Sequence, residues 1–258
     1  MSGDPHWRYV QARLQARHGD RLPDAEWHAL EAVQTVEPFI ERSRATALQH
    51  FVEQVNASMT THAIERVLRG AWRAYVDEVA SWLPTEWRAA VTWTALLPDL
   101  PVIDAALKGE APPWTKQDPA LALFAETDPA QRLAALQDSS LAPLLPTESE
   151  SIPLGARWAR HWRALWPKQS AADTRVLNAL AHVVQMHLER LAHAGAQENS
   201  ATHRRDLQKA VTRLFRRHGA SPTAAFSHLV LVALDLERLR GGIVRRRLFE
   251  PTQRRQAA

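Results

Sequence analysis

Hydrophobic residues recur every three or four positions along most of this chain, and no segment alternates convincingly with a period of two. Such spacing places apolar side chains on one face of a helix, so the sequence predicts an all-α protein. The clearest stripe lies in residues 62–82, which we expect to form one long amphipathic helix. Its apolar positions are Ile64, Val67, Leu68, Trp72, Tyr75, Val79 and Trp82.

Capping residues and prolines predict where the helices begin and end. Asp4-Pro5 is typical of a helix start, and Gly19 is expected to end that first helix. Gly241-Gly242 is expected to weaken or kink the last helix. Further helices are predicted to begin near Pro23-Asp24, Glu37-Pro38, Thr85, Asp118-Pro119, Asp128-Pro129, Ser151, Ser170, Ser200 and Ser221-Pro222.

Proline is concentrated in the middle of the chain. Eleven of the sixteen prolines lie between Pro84 and Pro167, so helices there must be short. We therefore expect helical hairpins in a funnel-like or multi-subdomain bundle, with long helices at both ends and a broken centre. The predicted parts are residues 1–110, a Pro-rich segment 111–150 and residues 151–258, joined in one continuous structural unit.

The composition is that of a globular protein, with 45% hydrophobic and 23% charged residues. Cysteine is absent, which excludes disulfides, thiolate metal sites and a cysteine nucleophile. The first residues lack the apolar core of a signal peptide, and the longest clean apolar run, Leu229 to Leu234, is far shorter than a membrane span. We expect a soluble, cytoplasmic protein.

Motifs of catalysis and cofactor binding are missing from the sequence. His182 and His187 are five positions apart, so they do not share a helix face as a metal-binding pair would. The chain has no nucleophile-elbow motif and no Gly-rich phosphate loop. We expect neither an enzyme nor a cofactor, although a site assembled from distant residues would leave no motif.

Positive charge is concentrated near the C-terminus. Residues 201–258 hold thirteen basic and four acidic residues, a net charge of +9, while the whole chain carries +4. Such a segment is typical of a solvated helix face or of a surface that meets nucleic acid, lipid headgroups or an acidic protein. The candidate interaction residues are Arg213, Arg216, Arg217, Arg238, Arg240, Arg245, Arg246 and Arg247.

Tryptophan is abundant, with ten of the eighteen aromatic residues. Trp158, Trp162 and Trp166 step by four along one predicted helix, with arginines between them. The stripe predicts core packing, and the alternatives are a platform on which nucleic-acid bases stack or an exposed protein-docking patch.

Four stretches of the chain resemble the C/d subunit family of archaeal- and vacuolar-type rotary ATPases. Residues 8–17, from Arg8-Tyr9-Val10 to Ala16-Arg17, are similar to the family's first helix, and Leu22 to Phe39 fits the helix pair that follows it. The stretch from Trp82-Leu83-Pro84 to Leu107-Lys108-Gly109 resembles the family's first hairpin crossing. The best match is the last helix, where Asp235-Leu236-Glu237-Arg238-Leu239-Arg240 is followed by Gly241-Gly242-Ile243-Val244.

The resemblance implies a non-catalytic adaptor made of helical subdomains. Members of the family sit on the cytoplasmic face of the membrane rotor ring and receive the foot of the central stalk. The implied partners are therefore protein subunits of a membrane-associated complex, with no small-molecule substrate. The basic C-terminal segment would then face acidic residues of the ring or stalk.

Two other classes of function stay open on the sequence alone. One is a helical protein that binds nucleic acid through its C-terminal arginines and the tryptophan stripe. Against it, the basic residues of 201–218 spread around their helix and form no single stripe. The other is an enzyme whose site is dispersed over several helices.

Overall fold

The computed structural model describes residues 5–146, 152–193 and 200–256, and the side chains within them except at 191–201 and 249–256. Every regular element in these ranges is helical, which confirms the predicted all-α class. The α-helices are α1 (Pro5–Gly19), α2 (Asp24–Glu31), α3 (Val36–Arg44), α4 (Gln49–Val52), α5 (Thr61–Trp82), α6 (Thr85–Trp93), α7 (Leu100–Leu107), α8 (Pro129–Gln137), α9 (Leu154–Ala164), α10 (Ala171–His193), α11 (Ser200–Arg217) and α12 (Pro222–Gln256).

Short 3₁₀ helices connect several of these elements. They are Thr94–Asp99, Pro113–Gln117, Ala122–Ala125 and Ala142–Leu144. All four lie in the Pro-rich part of the chain, where proline removes backbone donors and stops longer helices from forming.

Most predicted helix boundaries agree with the structure to within two residues. The first helix ends at Gly19, and the long amphipathic helix is α5, with Val67 half-buried and the other stripe residues buried. Asp128 caps α8 by accepting hydrogen bonds from the backbone N–H groups of Ala130 and Gln131. Two expected helix boundaries lie outside the described residues: the start at Ser151, and Gly195, which the sequence favours as the end of the helix that begins after Ser170.

Two predictions about local structure were wrong. Asp118-Pro119 does not begin an α-helix, because the Asp118 carboxylate is buried and binds Arg73 of α5 as well as the Ala120 N–H. Gly241-Gly242 does not interrupt the last helix, since α12 continues from Pro222 to Gln256. Tertiary contacts outweigh the local preference at both places.

The last helix lies at the centre of the fold. α12 packs against α1, α3, α5, α10 and α11, so residues from both ends of the chain share its surface. One hydrophobic cluster extends from Val10 on α1 through Trp72 on α5 to Ile243 on α12. The funnel shape and the division into three parts stay predictions.

Candidate functional site

The charged residues of the last-helix pattern bind four different segments of the chain. We call Asp235, Glu237, Arg238 and Arg240 the α12 charge cluster. Asp235 accepts hydrogen bonds from Arg21, after α1, at 2.6 and 2.9 Å, and Glu237 accepts from Arg204 of α11 at 3.0 and 3.2 Å. The cluster therefore connects α12 to other segments of the chain, while the Arg240 side chain is also 45% exposed to solvent.

The two arginines of the cluster reach elements early in the chain. Arg238 donates to both carboxylate oxygens of Glu31 on α2, at 2.6 and 2.9 Å, and its guanidinium lies over the ring of Trp27. Arg240 donates to Glu65 of α5. Paired, planar contacts of this kind are what arginine provides and lysine does not. These two candidate interaction residues are therefore committed to internal ion pairs.

Arg246 is a buried structural residue. The residue is only 4% exposed, and its guanidinium donates to the backbone carbonyls of Glu31 and Val33, both at 2.8 Å. Those carbonyls lie at the C-terminal end of α2, where a helix has unpaired acceptors and a negative dipole end. The prediction that Arg246 meets an external partner was therefore wrong.

The remaining candidate arginines do not form one patch. Arg213, Arg216 and Arg217 are exposed near the end of α11, which the short segment 218–221 joins to the start of α12. Arg245 is exposed too, but it lies about 35 Å from Pro222 along α12 at about 1.5 Å per residue. Arg247 is half-buried. The basic segment therefore presents charge at two separate ends of the α11–α12 hairpin.

Burial decides between the interpretations of the tryptophan stripe. Trp158 and Trp162 are each 1% exposed and stack at 5.3 Å between ring centroids, while Trp166 is half-buried against Trp162. Trp158 and Trp93 also donate their indole N–H groups to each other's backbone carbonyls. The stripe is part of the core, as predicted, and the alternative role as a base-stacking or docking surface was wrong for Trp158 and Trp162.

A buried ion-pair network holds the Pro-rich middle against α5. Arg73 donates to both oxygens of Asp118, at 2.8 and 3.0 Å, and to Asp99 at 2.8 Å. Arg69, one turn earlier, donates to the other oxygen of Asp99 at 2.9 Å and lies over the ring of Trp114. Asp99 and Asp118 are at most 1% exposed, and their arginine partners compensate them.

A largely apolar cavity of about 320 Å³ lies beside this network, between α5, α10, α11, α12 and the segment Leu97–Pro101. Its lining also includes four charged residues and a histidine of α10: Glu65, Arg69, Glu237, Arg240 and His187. Contacts with His187 and Arg204 lower the pKa of the Glu237 carboxyl, although burial acts to raise it. Concave, mostly apolar sites with a few polar groups are the usual form of a small-molecule site.

Sequence reasoning missed both the buried network and the cavity. The ion pairs of the network join residues that are 26 to 45 positions apart along the chain, and the cavity joins residues from 65 to 240, so no local pattern could reveal either. The i, i+4 spacing of Arg69 and Arg73 places both guanidinium groups on one side of α5, and this spacing is the signal in the sequence that could have indicated shared acidic partners.

The described residues contain no group of three or more His, Asp or Glu side chains arranged to hold a metal ion. Within the same ranges, one helical stretch, Thr85–Leu107, is long and apolar enough to cross a membrane by length and composition. In the fold this stretch is divided into α6, a 3₁₀ helix and α7, which pack against α5 and α9.

No family model, curated protein or solved structure matches this chain. The resemblance to rotary-ATPase C/d subunits therefore stays a prediction.

Proposed function

We propose that this protein is a non-catalytic helical adaptor, similar in role to the rotary-ATPase subunit that joins the central stalk to the membrane rotor ring. The observation that carries the proposal is the α12 charge cluster. Its residues belong to the stretch that best matches the family, and Arg238 binds Glu31, which lies in a second matching stretch, Leu22 to Phe39.

Such an arrangement suits a part that transmits force. A helix fixed to several neighbours by ion pairs resists sliding, because breaking a pair leaves its charges without a partner. The most buried of these pairs joins Arg21 and Asp235, whose side chains are 13% and 12% exposed. The buried network of Arg69, Arg73, Asp99 and Asp118 extends the same fixation to the middle of the chain. A rigid body of this kind passes torque from one partner to another without absorbing it.

Two contact surfaces are required of an adaptor, and the exposed arginines supply two candidates. Arg216 and Arg217 lie at one end of the α11–α12 hairpin and Arg245 lies toward the other. Each would meet an acidic surface on a different protein, with the adaptor held peripherally on the cytoplasmic face of the membrane. Nucleic-acid binding is less well supported, since Arg238, Arg240 and Arg246 are used internally.

The test is purification of the tagged protein from gently solubilised membranes of its own host at low salt. We expect stalk and rotor-ring subunits to accompany it in a fixed ratio. The paired charge reversal Arg216→Glu/Arg217→Glu should remove one set of partners, and Arg245→Glu the other. The matched control is Arg88→Glu, on the exposed face of α6, which should leave both sets in place.

Three outcomes would contradict the proposal. Recovery of the protein alone from the soluble fraction would remove the adaptor function. Recovery with a different membrane complex would keep an interaction role and discard the rotary ATPase. Co-purification of RNA or DNA, released by raising the salt concentration, would favour the nucleic-acid alternative.

A further inference from the structure

The cavity between α5, α10, α11, α12 and the segment Leu97–Pro101 has aliphatic walls. Eleven of the sixteen described residues that line it are apolar, and none of these eleven is aromatic; among them are Leu68, Val184, Val230 and Leu234. Pro101 and Arg240 also belong to the lining and are exposed, so the cavity opens to solvent beside them. Walls of this kind favour an aliphatic ligand over a polar one.

The polar residues of the lining use their charged groups within the protein. Arg240 donates to Glu65, and Arg69 donates to Asp99 at 2.9 Å. The Oε2 atom of Glu65 and the Nε2 atom of His187 each expose less than 1 Å², so neither atom belongs to the cavity surface. A ligand inside the cavity therefore gains apolar contact rather than hydrogen bonds.

Ion pairs hold the elements around the cavity at fixed distances. They link α5 to α12, α11 to α12, and α5 to the 3₁₀ helix that precedes α7, and they are Glu65–Arg240, Arg204–Glu237 and Arg69–Asp99. Closing the cavity would require these elements to approach each other and would displace the paired groups. A packed structure relaxes only in part around an internal space, so the site is already formed before a ligand arrives.

The volume of the cavity limits the ligand to one short chain. The volume is about 320 Å³, at the lower end of the range for small-molecule sites. At about 30 Å³ per water-sized group, this space corresponds to about ten non-hydrogen atoms. The two long chains of a membrane phospholipid do not fit, whereas a single chain that enters beside Pro101 and Arg240 leaves its head group in solvent.

The residues near the opening do not select the charge of that head group. Arg240 and Glu237 lie one turn apart on α12, and their side chains are 45% and 33% exposed. Their opposite charges offset each other, and charge interactions in solvent are weak. The affinity therefore depends on the aliphatic chain and not on the head group.

We propose that this cavity binds the aliphatic chain of a single-chain amphiphile, with up to about ten carbon atoms against Leu68, Val184 and Val230 and the head group in solvent near Arg240. The site is independent of the adaptor function, because it lies within the helical body and needs no partner protein. It holds or fails whichever complex the protein joins.

The test measures how the affinity of the full chain for 1-alkanols changes with their length. The probes are 1-hexanol, 1-octanol, 1-decanol and 1-dodecanol, and isothermal titration calorimetry at pH 7.5 gives the dissociation constant. We expect one molecule to bind per chain, with a dissociation constant that falls about fourfold for each added CH₂ group and becomes constant beyond about ten carbon atoms. The shift in melting temperature is a second readout.

The head group is tested with octanoate and octylammonium. Both should bind within about threefold of 1-octanol, because a charge that stays in solvent gains little from exposed partners. A difference of more than about tenfold between either ion and 1-octanol would contradict the position of the head group outside the cavity.

Matched variants locate the chain. Ala233→Leu adds carbon atoms to the lining and should weaken 1-octanol binding at least about tenfold, while Ala179→Leu, on the exposed side of α10, should not change it. Val184→Ala enlarges the cavity, so the constant dissociation constant should be reached only with a longer alkanol. Circular dichroism checks that each variant is folded.

Three results would overturn the proposal. Absence of saturable binding by every probe, with a higher melting temperature for Ala233→Leu, would make the cavity a packing defect that a side chain can fill. An affinity that keeps rising through 1-dodecanol would indicate adsorption to an open surface and not a cavity of limited volume. Binding that is unchanged in both Ala233→Leu and Val184→Ala would place the alkanol elsewhere on the protein.

Discussion

The role of a side chain in this protein depends on the residues that it contacts in the fold, and not on its neighbours in the sequence. Three arginines follow one another at 245–247, and the structure uses them differently. Arg246 donates to the Glu31 carbonyl at the end of α2, and its Cζ atom lies 3.8 Å from the centre of the Phe39 ring. Arg245, by contrast, is exposed. Consecutive residues of an α-helix point about 100° apart around its axis, so arginines that are neighbours in the sequence meet different surroundings.

This difference predicts unequal costs for the same substitution. Arg246→Met removes the donor from the backbone carbonyls of Glu31 and Val33 and should lower the free energy of unfolding by about 2–4 kcal/mol. Arg245→Met should change it by less than about 0.5 kcal/mol. Urea unfolding of both variants measures the difference, and equal values would contradict the structural role of Arg246.

Buried histidine predicts how stability depends on pH. His228 is fully buried with Tyr75 Oη 2.7 Å from its Nε2, and burial, together with nearby Arg21, lowers its pKa to about 3. The unfolded chain, with a histidine pKa near 6.5, therefore binds more protons than the folded chain between about pH 3 and pH 6.5. Stability from this group is complete above pH 6.5 and is lost as the pH falls.

At pH 5.0 the expected loss from His228 is about 2 kcal/mol relative to pH 7.5, at 1.36 kcal/mol per unit below 6.5. His228→Gln keeps a polar partner for Tyr75 and cannot titrate, so its decrease in unfolding free energy between these two pH values should be smaller by that amount. His182→Gln, at an exposed position, is the control. Parallel pH profiles for wild type and His228→Gln would show that His228 does not contribute.

Helices in this fold are shaped by their neighbours as much as by their own residues. The pair Gly241-Gly242 predicts a weak point by helix propensity, yet α12 passes through it. A Cβ atom on Gly242 would lie 2.6 Å from the Phe39 ring, so this glycine allows α3 to approach closely. Gly241 has no neighbouring atom within 4 Å of that position.

The two adjacent glycines should respond in opposite directions to alanine. Gly241→Ala should raise the free energy of unfolding by about 0.5–1 kcal/mol, since alanine restricts the unfolded chain and favours the helix. Gly242→Ala should lower it by about 1–3 kcal/mol, because Phe39 or α3 must move. Thermal unfolding of the two variants tests this, and stabilisation by both would mean that the close contact is readily relieved.

The whole molecule depends on contacts between residues far apart in sequence. Arg21 meets Asp235, Glu31 meets Arg238 and Glu65 meets Arg240, which ties both ends of the chain to one helix. The contact between Arg73 and Asp118 likewise holds the Pro-rich middle against α5. Its short helices have little cooperative stability of their own.

Weakening the contact between Arg73 and Asp118 should increase local unfolding of the Pro-rich middle more than that of the other helices. Asp118→Asn removes one of the two carboxylate charges that compensate Arg73, the other being that of Asp99, and we expect faster amide hydrogen exchange across 113–137 with little change in α12. Asp138→Asn, at an exposed position, should alter neither region. Uniformly faster exchange over the whole chain would indicate that the contact supports global stability instead.

The sequence by itself determined the helices of this protein and most of their ends. The 3.6-residue period, the cap at Asp128 and the first-turn prolines are local signals, because each acts through backbone groups within one or two turns. The burial of the α5 stripe and of Trp158 and Trp162 follows from the same periodicity. Of the candidate site, the sequence indicated only that charge is concentrated near the C-terminus.

Only the tertiary structure decided what those charges do. Whether an arginine is paired, buried or exposed depends on which acid or carbonyl another helix brings to it, as Glu31 does for Arg238 across 207 positions. The roles of Gly242 and Asp118 and the cavity beside His187 have the same origin. Ion pairing and packing act between surfaces that become adjacent only when the chain folds. The spacing of residues along the sequence therefore does not predict them.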